Sequence, residues 1–464
     1  MIKVVRQNKE SVLDKIRDGR LDSVAISSTN LVDDILLSMH KNGILACLGA
    51  VIPDLRKANT TIPFELVIAL ATAAKMKVKT ALTDIPFAIQ DHRLLGELGY
   101  NVVDDDGVDK GFMTEGALRH LFCKYNYQDL FTYYNDAVQK HIMPKLNLEP
   151  SIHILDCTKL YVELSNSNYQ KSEVGLDSDN KPARGYKLAT IRSIIGDTGI
   201  ITDTRFSDIR PHDLTLSADM LRTSAVLKHG DILINDRGFI DRDILNYLKT
   251  NRGVDTYVPL KANMVAYKLA IQLSQEENKW SAHPNKKPKT QNIAFVTNLG
   301  EHWRSDKVAD DVEFNACVVW DTKADKPENE YRVFITTDLT KSAKQIIRTY
   351  ELRPEIEEDF RQIKDFWLLE DFRAKNISLI AFHIMSVLFG YLFFQLFTLL
   401  PEGEQYSHKC LPIILKNYQC KTLPFLVFYV GDEFGVVSLT EYAKLYASVE
   451  ESVRTLIDSV ISNA

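Results

Sequence analysis

Residues 350–364 read Y-E-L-R-P-E-I-E-E-D-F-R-Q-I-K, with Tyr350, Arg353, Glu357 and Lys364 at offsets of zero, three, seven and fourteen. At ~100° per residue, an ideal helix gathers those four side chains within an arc of roughly 60°. A face bearing a carboxylate, two cations and a phenol can hold a divalent metal through Glu357 while Arg353, Lys364 and Tyr350 grip phosphate oxygens. The spacing therefore points to phosphodiester chemistry, and the competing reading is a solvated, charged helix surface. Pro354 complicates the single helix, because it biases Arg353 away from helical geometry and fits best as the first residue of a new helix. Tyr350 and Arg353 then belong to a preceding turn. Ile356, Phe360, Ile363 and Trp367 form the apolar stripe that a core would bury, with Glu357 at its border.

Just beyond this stretch, residues 377–400 run I-S-L-I-A-F-H-I-M-S-V-L-F-G-Y-L-F-F-Q-L-F-T-L-L, long enough to span a bilayer. His383 and Gln395 inside the run, the lack of a second such segment and its attachment to a charged helix favour a helix buried in a large core. With 464 residues, 45% of them hydrophobic, the chain predicts two or three domains with well-buried cores. The net charge of −6 excludes a protein that is basic all over, so any grip on nucleic acid must come from local patches. Six cysteines, at 47, 123, 157, 317, 410 and 420, show neither a C-x-x-C pair nor metal-ligand spacing with histidines. They predict a reducing cytoplasm, and the N-terminal M-I-K-V-V-R-Q-N-K-E lacks the apolar core of a signal peptide.

Upstream, residues 1–148 read as mainly helical, as in F-E-L-V-I-A-L-A-T-A-A-K-M-K-V from Phe64, with a solvated junction at Asp104, Asp105 and Asp106. From residue 149 the texture becomes that of an α/β sheet. S-I-H-I-L-D, G-Y-K-L-A-T-I-R-S-I-I-G and G-I-I-T-D-T-R-F are strand-like runs divided by Gly and Asp, followed by D-I-L-I-N-D-R-G and T-Y-V-P-L-K. Residues 264–338 read as a β-rich insertion around the lysine-bearing loop of Lys286, Lys287 and Lys289. The expected catalytic core is thus 149–263 with 339–400, and 401–464 forms a last mixed section.

Asp156 and Asp236 each follow an apolar run, in S-I-H-I-L-D-C-T and D-I-L-I-N-D-R-G, so both are placed at strand ends. If those strands are parallel neighbours, their carboxylates share one sheet edge and can share metal ions, with Glu357 completing the cluster. Three close carboxylates repel one another unless cations neutralise them, so a Mg²⁺-loaded trio is sensible and a bare one costly. Singly, each Asp is also explained as the cap of a following turn.

Taken together, these residues resemble the insertion-sequence transposases of the DDE class, in the subgroup with a Y-R-E-K signature. The match is carried by Tyr350, Arg353, Glu357 and Lys364, and extends through L-D-C-T-K-L at Asp156, G-Y-K-L at Gly185, N-D-R-G-F at Asp236, Y-V-P-L-K-A-N at Tyr257 and F-I-T-T-D-L at Phe334. It departs where many relatives carry Trp after the signature Arg and this chain has Pro354. The resemblance implies a ribonuclease H-like mixed sheet with Asp156, Asp236 and Glu357 as catalytic, metal-binding residues for Mg²⁺, which Mn²⁺ can replace. It implies that Tyr350, Arg353 and Lys364 contact DNA phosphates; Arg184 and Lys187 are further DNA-contact candidates, since their strand should neighbour Asp156. The reaction implied is cutting at the ends of an insertion sequence and joining of the 3′-hydroxyls to target DNA. A metal-dependent DNA nuclease and an inactive DNA-binding derivative are the alternatives. Double-stranded DNA is the expected partner, bound by a homodimer on paired ends, with residues 1–148 placed for end recognition and 401–464 for dimerisation. Trp280, Trp303 and His212 with Asp213 remain open between DNA contact and structure.

Overall fold

The structure, a computed structural model, describes residues 6–28, 30–57, 62–89, 92–98, 113–285, 290–304, 311–407 and 424–462. The loop lysines Lys286, Lys287 and Lys289 and the junction Asp104, Asp105 and Asp106 lie outside the described residues. In chain order the strands are β1 (Arg6–Gln7), β2 (Ser23–Ser28), β3 (Ile152–Val162), β4 (Glu173–Leu176), β5 (Pro182–Ile195), β6 (Thr198–Asp208), β7 (Ile232–Asn235), β8 (Asp255–Pro259), β9 (Ser281–Ala282), β10 (Gln291–Val296), β11 (Asn315–Asp321), β12 (Tyr331–Thr336), β13 (Pro424–Val430) and β14 (Glu433–Ser438). They fall into two compact units.

One unit comprises Gln128–Asp365 with Lys375–Ile377. Its sheet runs β4-β5-β3-β7-β8-β12-β11-β10-β9, with β6 paired to β5. β3 pairs antiparallel with β5 but parallel with β7, and β7 is parallel to β8, which gives the mixed sheet of a ribonuclease H-like domain. The stretches paired in parallel are short and apolar on both faces, as expected where helices cover the sheet: Ile154, Leu155, Leu233 and Ile234 are all fully buried. Residues 264–338 do not stand apart as a module. β12 pairs antiparallel with β8, β11 with β12 and β10 with β11, which widens the same sheet.

On one face, period-two alternation aims Ile154 and Ile234 into a core that also takes Tyr257, Phe334, Ile346, Ile347, Ile356 and Phe360. The last four belong to helices Ala343–Tyr350 and Pro354–Trp367. Ile356, Phe360, Ile363 and Trp367 are each buried, so the apolar stripe read from sequence is the packed face. Each such side chain contributes ~1.5–3 kcal/mol by leaving water. Pro354 opens the second helix, while Glu351, Leu352 and Arg353 form the turn before it. The signature therefore spans a helix end, a turn and a new helix.

The other unit comprises Met1–Tyr127, Phe366–Ala374 and Ser378–Ala464. It is not helical alone: β1-β14-β13-β2 form a four-stranded sheet that joins the two ends of the chain. Val12, Ile16, Phe428, Val437, Leu445 and Ile457 close a core on it. Helix Ile377–Leu399 is long and apolar enough to cross a membrane, yet its most apolar window is entirely buried. Gly390 shows how closely it is packed, since a Cβ there would lie 2.9 Å from the Trp367 ring and 3.3 Å from Met76.

Candidate active site

Parallel pairing of β3 with β7 ends at Leu155↔Asn235. Asp156 is the next residue of β3 and Asp236 the first residue after β7, so adjacent strands ~4.8 Å apart bring them out at one level. Asp156 lies in mid-strand rather than at a strand end, because β3 continues to Val162 against β5. Both share the face of Ile154 and Ile234, the face on which helix Pro354–Trp367 lies, and that helix presents Glu357 one residue after the buried Ile356.

Arg353 ties the three together. Its guanidinium is 2.8 Å from Asp156 Oδ2 and 3.9 Å from Asp236 Oδ2, and it donates to Glu357 Oε1. The helix start at Pro354 makes this possible, since it leaves Arg353 on the turn and Glu357 one helical turn further on. Among the described residues no three His, Cys, Asp or Glu side chains stand spaced to share one ion as they are, and the guanidinium occupies the middle of these carboxylates.

The site is electrically loaded. Burial lifts the Asp156 carboxyl to about 6, against the pull of Arg353 and of the Cys157 amide at 2.8 Å, and the charges of Asp236 and Glu357 push the same way as burial. Burial opposes the charge on Arg353, yet Asp156, Asp236 and Glu357 raise its pKa above the ordinary value. Burial and then Asp236 hold the Tyr350 phenol protonated, and its ring packs 4.6 Å from that of Phe334. Asp236 also accepts from the Arg237 amide at 2.7 Å, which fixes the turn that follows β7.

The remaining expected DNA contacts sit differently. Lys364 donates to the Lys159 carbonyl at 2.5 Å and lies over the Tyr161 ring, which docks the helix on β3. Lys187 is buried, bound to Asp213 at 2.7 Å and to the Pro211 carbonyl, so its ammonium is turned to the fold rather than to solvent. Arg184 spends its guanidinium on the carbonyls of Leu164 and Ser172. His212 caps helix Asp213–Thr223 by accepting from Leu214 N. Trp280 and Trp303 pack on the core of the widened sheet, against Trp320 and Phe314 respectively. Gly185 of G-Y-K-L has a steric reason: a Cβ there would lie 2.0 Å from the Leu160 carbonyl oxygen.

Sequence reasoning missed Arg192. Across from Ile154 on β5, it binds Asp359 at 2.7 Å and Glu355 at 2.8 Å, the residues two positions either side of Glu357. Gly199 leaves room for it, since a Cβ there would overlap the guanidinium carbon. The one legible signal was the pair of carboxylates at i and i+4 in P-E-I-E-E-D, beside the apolar stripe; their partner lies far upstream.

Residues 150–393, more than half of the chain, match the family model described as the transposase DDE domain. Comparison with curated proteins finds no match. The matched span begins just before β3, takes in the two neighbouring strands that carry Asp156 and Asp236, and includes the helix that carries Glu357, so sequence family and sheet topology agree: the chain belongs to the transposase DDE domain family.

Proposed function

We propose that this DDE-class transposase belongs to the Y-R-E-K subgroup, cuts the ends of an insertion sequence and joins the freed 3′-hydroxyls to target DNA, with Asp156, Asp236 and Glu357 as catalytic metal ligands. The observation that supports this most is that three carboxylates from three separate elements converge on one guanidinium. Such convergence is costly without a cation and useful with one. The donor set is all hard oxygen, which suits Mg²⁺ or Mn²⁺. A divalent ion held there supplies Lewis-acid activation and neutralises charge on the leaving oxygen.

The chain's own groups have separate tasks. Asp156, the most desolvated of the three, fixes the floor of the site. Asp236 and Glu357, more exposed, can adjust to an incoming phosphate. Arg353 keeps the carboxylates together when no ion is bound, and turns toward DNA phosphate when one is. Lys364 holds the helix against β3, and Tyr350 contributes a protonated hydroxyl. Double-stranded DNA, bound by a homodimer in the cytoplasm, completes the reading. The test incubates purified protein with a duplex bearing the repeats that flank its gene, a supercoiled target and Mg²⁺ or Mn²⁺. Joined products with wild type and none with Asp236→Asn support the proposal. Cutting without joining would reduce it to a nuclease, and equal cutting by both proteins would end it.

A further inference from the structure

The expected phosphate-gripping cations are engaged inside the protein: Arg353 with carboxylates, Lys364 and Arg184 with carbonyls, Lys187 with Asp213. A DNA backbone approaching three carboxylates in a chain of net charge −6 needs positive charge that is already outside. Two residues at the carboxyl edge of the parallel strands supply it. Arg237 follows Asp236 directly, and it is exposed, with its main chain set by the Asp236 carboxylate. Lys261 comes two residues after β8 and is half-buried in a turn closed by Met264 N to its carbonyl at 3.0 Å, beside exposed Ala262 and Asn263. Among the described residues, neither side chain has an ion pair or a hydrogen bond.

Register brings them together. β7 and β8 are parallel neighbours through Ile234↔Tyr257, so two residues further on Asp236 stands level with Pro259. Arg237 and Lys261 thus leave adjacent strands at the same edge, and β8 also touches the Arg237–Phe239 turn. Carboxyl edges of parallel strands are where ligands of such sheets bind. Arg offers a planar fork that matches phosphate oxygens, and Lys a mobile point charge.

We propose that Arg237 and Lys261 form the phosphate-holding pair for DNA beside the cut, an assignment that rests on the transposase reading of the same site. The test measures binding of the full chain to a linear duplex, without divalent ion, across a salt series. Neutralising one cation that holds a phosphate should make the negative slope of log affinity against log salt shallower by about 1, so Arg237→Gln with Lys261→Gln should make it shallower by about 2. Lys228→Gln serves as control, because Lys228 is an exposed cation four residues before β7, at the opposite end of that strand. The expected result is the slope change in the double variant alone, with an unchanged melting temperature and unchanged Mn²⁺ affinity. An unchanged slope, or an equal change in the Lys228 variant, overturns the pair while leaving the transposase reading intact. Wild-type protein that binds no DNA overturns both.

Discussion

Arg353 serves as counter-ion to Asp156, Asp236 and Glu357, so removing it should reveal how much the site needs positive charge. Arg353→Gln is expected to lose ~1–3 kcal/mol in chelator and to recover most of it with Mg²⁺, which wild type gains less from. Urea unfolding with and without the ion measures this, and equal Mg²⁺ gains in both proteins would refute it. Asp156 gives a pH dependence of definite sign. Its folded carboxyl sits near 6 against an ordinary 3.8, so the folded state holds the proton more tightly than the unfolded one. That stabilisation is fully present below pH ~4 and is lost as pH rises through ~6, at most about 3 kcal/mol without metal. In chelator, the stability of wild type minus that of Asp156→Asn should therefore fall between pH 4 and 7, and a flat difference would contradict the burial argument. The same proton competes with a divalent ion, so cutting should weaken below pH ~6. The candidate carboxylates were legible because an aspartate after an apolar run and an E-x-x-x-x-x-x-K spacing are local patterns, although Asp156 proves to lie in mid-strand. The state of Lys187 was not, because burial depends on Asp213 reaching it from another element.

The element that sets the site is helix Pro354–Trp367, held by its apolar stripe and by the Arg192 clasp on Glu355 and Asp359. Arg192→Met removes the Arg192 guanidinium from the buried Asp359 carboxylate and should cost ~3–5 kcal/mol, whereas adding Asp359→Leu should recover a good part of that loss. Chemical denaturation of the single and double variants decides it, and a double variant no better than the single would show that the clasp is not what the helix rests on. Pro354 was readable as a helix start because its geometric limits are intrinsic. The parallel register of β3 and β7 followed only conditionally from sequence, since apolar runs announce strands without naming their neighbours. For the same reason the stretch 264–338 reads as an insertion, although its strands join β8 and extend the existing sheet.

At the scale of the whole chain, pairing between its two ends was the least legible feature. β1 pairs with β14 and β2 with β13 across more than four hundred residues for the first pair and nearly as many for the second, which no local pattern encodes. The carboxy-terminal section, read as separate, supplies two strands and two helices of the unit that the amino-terminal residues begin. A chain ending at residue 423 should then lose hydrogen-exchange protection at Val12 and Ile16, and protection equal to wild type would contradict the pairing. The family match takes in β3, β7 and the signature helix, and the proposed catalyst is one ion held there by Asp156, Asp236 and Glu357. Iron(II) substituted for Mg²⁺, with ascorbate and peroxide, cuts a polypeptide close to where the ion sits. An ion shared by these carboxylates gives backbone cuts clustered near residues 156, 236 and 357 that vanish in Asp236→Asn; cuts elsewhere, or an unchanged pattern in that variant, would rule out a shared ion.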